Sequence, residues 1–315
     1  MIEIVLCTDD NYVMPTGVCM YSICKNNENG IVHFHIVSDC ELSTKTKESF
    51  NHIAQIFNNR VEYYIYDIQQ ENVLVGQKGQ IPHITASTYL RILLPKILPN
   101  SLNKVLYIDG DIICRHSLMN LWNTSIEGYS IAGVKEGYYD YSLHNGILLE
   151  KKYDYINAGV LLINLKDWRQ NHRMETCLEF MHKYPERCLL LDQDIINFTL
   201  KDHKYILPVR YNLTSAYLLK GKPFYWKDRK EIAKAISDPV LIHYTGSAKP
   251  WNYVCPHPFV NLFRNYQDET EWKGVRTGSR PSRLRSLKCF VIMVLNKILG
   301  DMGKPLEFVE SDIQW

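Results

Sequence analysis

Within the first hundred residues, three short apolar runs (Ile2–Cys7, Val32–Val37 and Val61–Ile65) alternate with longer stretches near Met14–Lys25 and Ser43–Phe57. Runs of that length, bounded by polar clusters, read as buried strands, and the stretches between them carry helical apolar spacing. Strand, helix and strand in succession require crossovers between parallel neighbours, because antiparallel pairs need only a short turn. The pattern therefore predicts an α/β, Rossmann-like fold with a mainly parallel central sheet. Such sheets bind ligands beyond the carboxyl ends of their strands, and Asp9, Asp10 and Asp109 fall at those ends. A helical stretch, Thr85–Leu94, leads into a strand at Lys104–Ile108. "YINAGVLLINLKDW" reads as a buried strand entering a helix, "LLLDQDIINFTL" as a loop and helix, and "LIHYTG" as a late strand. With no internal repeat or low-complexity linker before residue 273, residues 1–272 read as one domain.

Composition matters mainly through its distribution. The formal net charge is +2, but residues 273–288 hold six cations and no acid, which leaves the rest of the chain at −4. A mildly acidic body argues against a nucleic-acid groove. An anionic ligand there needs a metal or a few placed cations to offset the charge. Nine cysteines without CxxC spacing read as reduced thiols of a cytoplasmic protein. "MIEIVLC" lacks a basic leader and reads as a first strand, so Asn-x-Ser/Thr matches at Asn123 and Asn212 read as chance.

"NKVLYIDGDIIC" interrupts an apolar run with Asp109, Gly110 and Asp111. Aspartate and glycine are poor strand residues, so they need a local reason. One is a hairpin turn, which Asp-Gly favours. The other is a cation site: side chains two apart on a strand share a side, so both carboxylates could converge on one divalent ion while Gly110 admits a ligand to the backbone. "TDDNY" (8–12) and "DQD" (192–194) are each open to a plainer reading as helix caps, and His243 to one as a core histidine.

Taken in order, "CTDDNYVMPTGVCMYSI", "TYLRILLP", "KVLYIDGDIIC", "YINAGVLLINLKDWR", "LLLDQDIIN" and "IHYTGSAKPW" resemble the successive motifs of glycosyltransferase family 8 over residues 1–265. The bacterial lipopolysaccharide α-galactosyltransferases and α-glucosyltransferases are nearest in pattern. The resemblance implies the nucleotide-diphospho-sugar transferase (GT-A) fold and a Mn²⁺-dependent, retaining transfer of galactose or glucose from UDP-galactose or UDP-glucose to a glycan acceptor. Asp109 and Asp111 match the DxD motif and would, with His243, ligate Mn²⁺, or Mg²⁺ in its place. Two carboxylates, phosphate oxygens and an imidazole suit Mn²⁺ better. Asp9 matches a uracil-binding residue, Asn11 one near the ribose, Tyr12 the ring stacked on the base, and Thr8 a backbone contact. Gly110, Gly246 and Lys249 match contacts along the nucleotide diphosphate. Arg91, Asn157, Ala158, Asp192 and Gln193 match the donor-sugar pocket, with Gln193 beside the anomeric carbon.

A carboxamide is a poor nucleophile, so the implied retention points to front-face attack, in which a phosphate oxygen of departing UDP takes the acceptor's proton. Asp192 is the alternative nucleophile. His83 resembles an acceptor-side histidine, while Tyr138, Tyr139, Tyr141 and Tyr153 read either as a sugar-stacking wall or as core. A phosphatase with a strand-end DxD would leave "TDDNY" and "HYTGSAKPW" unexplained. A self-glucosylating, glycogenin-like primer and a non-catalytic nucleotide or glycan binder stay open as alternatives.

Residues 273–315 read as an appendage: a basic lead-in, then "LKCFVIMVLNKIL" (287–299) with apolar residues at helical spacing. That segment is too short to span a bilayer, which takes about 20 residues. It predicts a basic, amphipathic tail that holds the enzyme peripherally at the anionic inner face of the cell membrane, where a lipid-linked acceptor in lipopolysaccharide or other envelope polysaccharide synthesis would be presented.

Overall fold

The computed structural model describes residues 1–71, 86–137, 153–218, 229–278 and 291. His83, Tyr138, Tyr139, Tyr141 and all of the amphipathic segment but Val291 lie outside those residues.

The expected alternation is present. β1 (Ile2–Cys7), β2 (Val32–Ser38) and β3 (Arg60–Ile65) are joined by helices α1 (Val13–Lys25) and α2 (Thr44–Ile56), and the three strands pair in parallel. Ser43 caps α2, its hydroxyl accepting from the Thr46 N–H, and Asp10 binds the backbone and hydroxyl of Ser43. The stretch expected to be helical from Thr85 begins instead as a 3₁₀ turn, Ala86–Tyr89, and becomes α3 at Leu90–Ile97. β4 (Val105–Ile108) follows and pairs in parallel with β1.

β4 does not form a hairpin with β5 (Ile112–Cys114). The two strands belong to different sheets. After the short helix α4 (Met119–Trp122), β6 (Ile131–Lys135) and the fully buried β7 (Ile156–Ile163) complete the centre of the main sheet, β7 running antiparallel to both β4 and β6. Helices α5 (Leu165–Gln170), α6 (Arg173–Lys183) and α7 (Asp192–Thr199) lead to β8 (Lys204–Leu207), parallel to β6. The order β3-β2-β1-β4-β7-β6-β8 makes a mixed, mostly parallel sheet of seven strands. The second sheet is small. β10 (Leu241–His243) lies between β5, antiparallel, and β9 (Leu213–Thr214), parallel; α8 (Arg229–Ser237) precedes β10 and α9 (Val260–Asp268) follows it.

Strand alternation divides the main sheet's side chains between two cores. Ile2, Ile4, Leu6, Phe34 and Ile36 pack on one face beneath α1 and α2, and Val5, Val37, Tyr107 and Leu161 on the other beneath α3, α5, α6 and α7. A third cluster, with Met14, Ile113, Tyr244, Trp251 and Phe263, ties α1 and α9 to the small sheet. The chain stays on this body beyond residue 272: the Thr277 N–H donates to the Trp251 carbonyl, and Arg276 donates to Gln267. Gly17 is required by the same junction, since a Cβ there would sit 2.2 Å from the Trp272 ring. Among the described residues, no helix is long and apolar enough to cross a membrane, and the eight described cysteines are free thiols.

Candidate active site

The sheet order reverses at β1, with β2 on one side and β4 on the other. The carboxyl ends of β1 and β4 thus bring residues 8–12 beside residues 109–111, at the switch point where α/β sheets bind ligands. β10 is added by the second sheet. Its antiparallel register sets His243 opposite Ile112, and the Tyr244 N–H donates to the Asp111 carbonyl at 3.1 Å.

Asp109, Asp111 and His243 converge, each offering a ligand atom within 4.8 Å of the others. His243 Nε2 lies 3.2 Å from Asp111 Oδ1 and 3.7 Å from Asp109 Oδ2. The outer oxygen of Asp109 is occupied, since Oδ1 accepts from the Tyr107 hydroxyl at 2.6 Å and lies 3.1 Å from Arg91 Nη2, which leaves Oδ2 facing the histidine. Burial alone would raise the Asp111 carboxyl's pKa, but the Lys249 ammonium and the His243 imidazole outweigh it and hold it well below the usual carboxylate range. Lys249 donates to Asp111 Oδ2 and to the Tyr244 carbonyl. Two carboxylate oxygens and an imidazole nitrogen aimed at one point fit a divalent cation.

Asn212 completes this set. Its Oδ1 lies 3.1 Å from His243 Nδ1, and its amide donates to Asn157 Oδ1 at 2.8 Å. A proton on Nδ1 then satisfies Asn212 and leaves the Nε2 lone pair toward the aspartates, the arrangement that histidine ligands need. Asn212 is fully buried, which disposes of its Asn-x-Thr match as a glycan acceptor in the folded chain.

On the β1 side, Asp9 is the cap that its residue type allows: Oδ1 accepts from the N–H groups of Asn11 and Tyr12, both at 2.9 Å. Thr8 is buried, its hydroxyl 2.9 Å from that of Thr16. Asn11 is exposed, and Tyr12 packs edge-on to Trp251 and over Gly110, where a Cβ would meet its ring at 3.2 Å. Gly246 has φ +85°, a left-handed backbone that favours glycine.

On the other side, Arg91 binds several groups at once. It stacks on Tyr107, donates from Nη1 to the Ala158 carbonyl at 2.6 Å, and holds Nε 3.0 Å from Asp192 Oδ2. That Nε–H is directed at the Thr88 carbonyl, so Asp192 has the charge nearby without an aligned hydrogen bond. Burial, against the pull of Arg91, raises the pKa of Asp192 to about 7. Gln193 is turned the other way, Oε1 accepting from the Ala158 N–H at 2.9 Å and from Asn157 Nδ2 at 3.2 Å. Leu191, just before this pair, is held at φ 52°, ψ −124°.

Three further residues enter from the fold. Glu136, at the end of β6, accepts from Asn157 Nδ2 at 2.8 Å and is buried enough for its carboxyl pKa to be raised. Asp194 accepts from the Tyr155 hydroxyl at 2.7 Å and caps the turn through the Leu190 N–H. Gly159 leaves room for this cluster: a Cβ there would lie 2.2 Å from His243 Cε1 and 2.8 Å from Asp109 Oδ2.

Comparison with known proteins bears on the fold and the family. The sequence matches the profile of glycosyl transferase family 8 over residues 3–255. It is 27% identical to general stress protein A of Bacillus subtilis over 87% of this chain and 96% of that one. It is 28% identical to a lipopolysaccharide 1,2-glucosyltransferase of Escherichia coli over 85% of this chain and 78% of that one. The crystal structure of galactosyltransferase LgtC in complex with donor and acceptor sugar analogues superposes with a TM-score of 0.75 at 23% identity, covering 90% of this chain and 99% of that one, which shows the GT-A fold. With its profile matched over most of its length, the chain belongs to glycosyl transferase family 8.

Proposed function

We propose that the protein transfers a hexose, glucose or galactose, from a UDP-sugar to a glycan acceptor with retention of configuration, using Asp109, Asp111 and His243 to hold Mn²⁺. The observation that carries this reading is the convergence of those three side chains, from the residue after β4, the turn before β5 and the end of β10, with Tyr107, Arg91 and Asn212 holding the atoms that face away. When bound, the ion supplies Lewis-acid compensation for the charge that collects on departing UDP. Lys249, already beside Asp111, adds a positive charge at the same end. On the other side of the pocket, Arg91 places its charge between Asp109 and Asp192.

Tyr12 over Gly110 offers an aromatic face for a base, and Asp9 keeps Oδ2 for a polar edge while Oδ1 caps the turn. Because both donors on Asn157 and Ala158 engage its oxygen, Gln193 is a fixed wall of the donor pocket with no free oxygen for attack, which favours a front-face route. Asp192, pressed on Arg91, is the residue through which a double displacement would pass. Kinship with lipopolysaccharide glucosyl- and galactosyltransferases supports an envelope polysaccharide as the acceptor. The test is UDP release and product formation from a panel of UDP-sugars with Mn²⁺, with the anomeric configuration read by NMR. One UDP-hexose should turn over, EDTA should stop it, and the product should be α-linked. Turnover unaffected by EDTA, or none with any UDP-sugar, would remove the proposal.

A further inference from the structure

At the other end of β1 lies a second cluster of ligating side chains. On the sheet face that carries Val5 and Val37, the amino-terminal halves of the strands are polar: Glu3 on β1, His33 and His35 on β2, Glu62 and Tyr64 on β3. Glu3 pairs with His33 in the parallel register, and His33 and His35, two apart, share the face. Each of the three offers a ligand atom within 4.8 Å of the others. Five residues along β1 separate Glu3 from Thr8, about 16 Å at the rise of a strand.

The hydrogen bonds of this cluster do not close with neutral imidazoles. Glu3 Oε2 lies 3.0 Å from His33 Nδ1 and 2.9 Å from His35 Nε2, and an anionic carboxylate needs a proton from each. The outer nitrogens are then lone pairs. His33 Nε2, buried and without an aligned partner, faces Glu62 Oε1 at 3.4 Å. His35 Nδ1 lies 3.1 Å from the Tyr64 oxygen, whose single proton serves either it or Glu62 but not both. With neutral imidazoles the His33 Nε2 lone pair thus opposes a carboxylate oxygen, and Tyr64 leaves either His35 or Glu62 unserved, in a cluster that also holds two carboxylates.

A divalent cation between Glu3 Oε2, His33 Nδ1 and His35 Nε2 resolves every one of these contacts. The imidazole protons move to the outer nitrogens, so that His33 Nε2–H donates to Glu62 and His35 Nδ1–H to Tyr64, whose own proton is on Glu62. Ligating histidines are typically supported in this way, and here the supporting groups are already in place. We propose that Glu3, His33 and His35 form a second metal site, one that takes Zn²⁺. Two imidazoles and one carboxylate, with a fourth position for water, match zinc's preference for nitrogen, whereas the first cluster is rich in carboxylate. The ion would fasten β1 to β2.

The test is calorimetric titration of untagged, chelator-treated protein with Zn²⁺ alone, with Co²⁺ as a visible-absorption substitute. An Asp111→Asn protein, deprived of a ligand in the first cluster, should still bind one equivalent, and Co²⁺ should show the intense absorption of four-coordination. Adding His33→Gln should weaken that binding at least about tenfold. Glu3→Gln, which preserves size, should do the same if His33→Gln fails to fold by circular dichroism. Absence of a Zn²⁺ equivalent in Asp111→Asn, or its survival undiminished in both added variants, would overturn the site.

Discussion

Replacing Gly159 with alanine inserts one methyl group between the side chains that face the cation position. Its Cβ would lie 2.2 Å from His243 Cε1, 2.6 Å from Nδ1 and 2.8 Å from Asp109 Oδ2, whereas ordinary contact begins at 3.4 Å. The imidazole must therefore retreat by about 1.2 Å, a displacement of the size that costs roughly a hundredfold in rate when it falls on catalytic geometry. His243 has no slack to absorb the methyl, being buried on β10 with Nδ1 held by Asn212. Overpacking of this kind costs about 1–3 kcal/mol of stability, so the variant should still fold. Mn²⁺ titration of UDP release is the assay: the half-saturating concentration should rise at least about tenfold and the saturated rate should fall about a hundredfold. Gly128→Ala is the control, placing a methyl in open space at φ +81°. It should lose about 1–2 kcal/mol to left-handed strain and keep its activity. A Gly159→Ala enzyme with the parent's Mn²⁺ dependence and rate would refute the placement of the cation between Asp109 and His243.

Three more predictions rest on single contacts. Asn212→Ala should weaken Mn²⁺ binding about 10- to 100-fold by freeing the His243 tautomer, read by the quenching of the free Mn²⁺ electron-paramagnetic-resonance signal; unchanged affinity would mean that Asn212 serves packing alone. Tyr12→Ala should weaken UDP binding by about 1–3 kcal/mol if the ring stacks on the base, and equal calorimetric affinities for the two proteins would reject that contact. His257 is buried against Tyr244 and accepts from the Phe259 N–H, and burial lowers its pKa to about 3. Its contribution to stability is complete above the ordinary value of 6.5 and is lost as the pH falls, at about 1.4 kcal/mol per unit, because only the unfolded chain takes up the proton. His257→Phe should flatten urea midpoints between pH 6.5 and about 3, and parallel profiles would contradict the assignment.

What the sequence could reveal depended on how local its cause was. β1, β2, β3 and their helices were legible because strand and helix periodicities are written into consecutive residues. The small sheet was legible only in part: "LIHYTG" reads as a strand and is β10, but β5 and β9 are three and two residues long, and only their pairing across the chain makes them strands. The DGD pair stood out because carboxylates at the end of an apolar strand have no local purpose. Gly159, Asn212 and Glu136 carry no such mark, since each acts on a side chain from a distant segment. Asp9 shows the limit of choosing between readings. It is a cap, as its type suggests, and capping uses only one of its two oxygens.

Leu191 has a bearing on how this enzyme would respond to selection. At φ 52° and ψ −124°, a branched side chain occupies backbone territory where glycine is at ease, with Asp192 and Gln193 immediately downstream. Such conformations cost about 1–3 kcal/mol and persist only when surrounding contacts impose them; here the Leu190 N–H is held by Asp194, and Leu191 itself is buried. A Leu191→Gly change would release that strain and let the Asp192–Gln193 turn wander, but it would also empty the place of a buried side chain, and truncating a buried leucine costs about 2–5 kcal/mol. The loss exceeds the relief. Selection for heat tolerance and selection for catalytic rate should therefore both keep the leucine, at a residue that need touch neither sugar nor nucleotide.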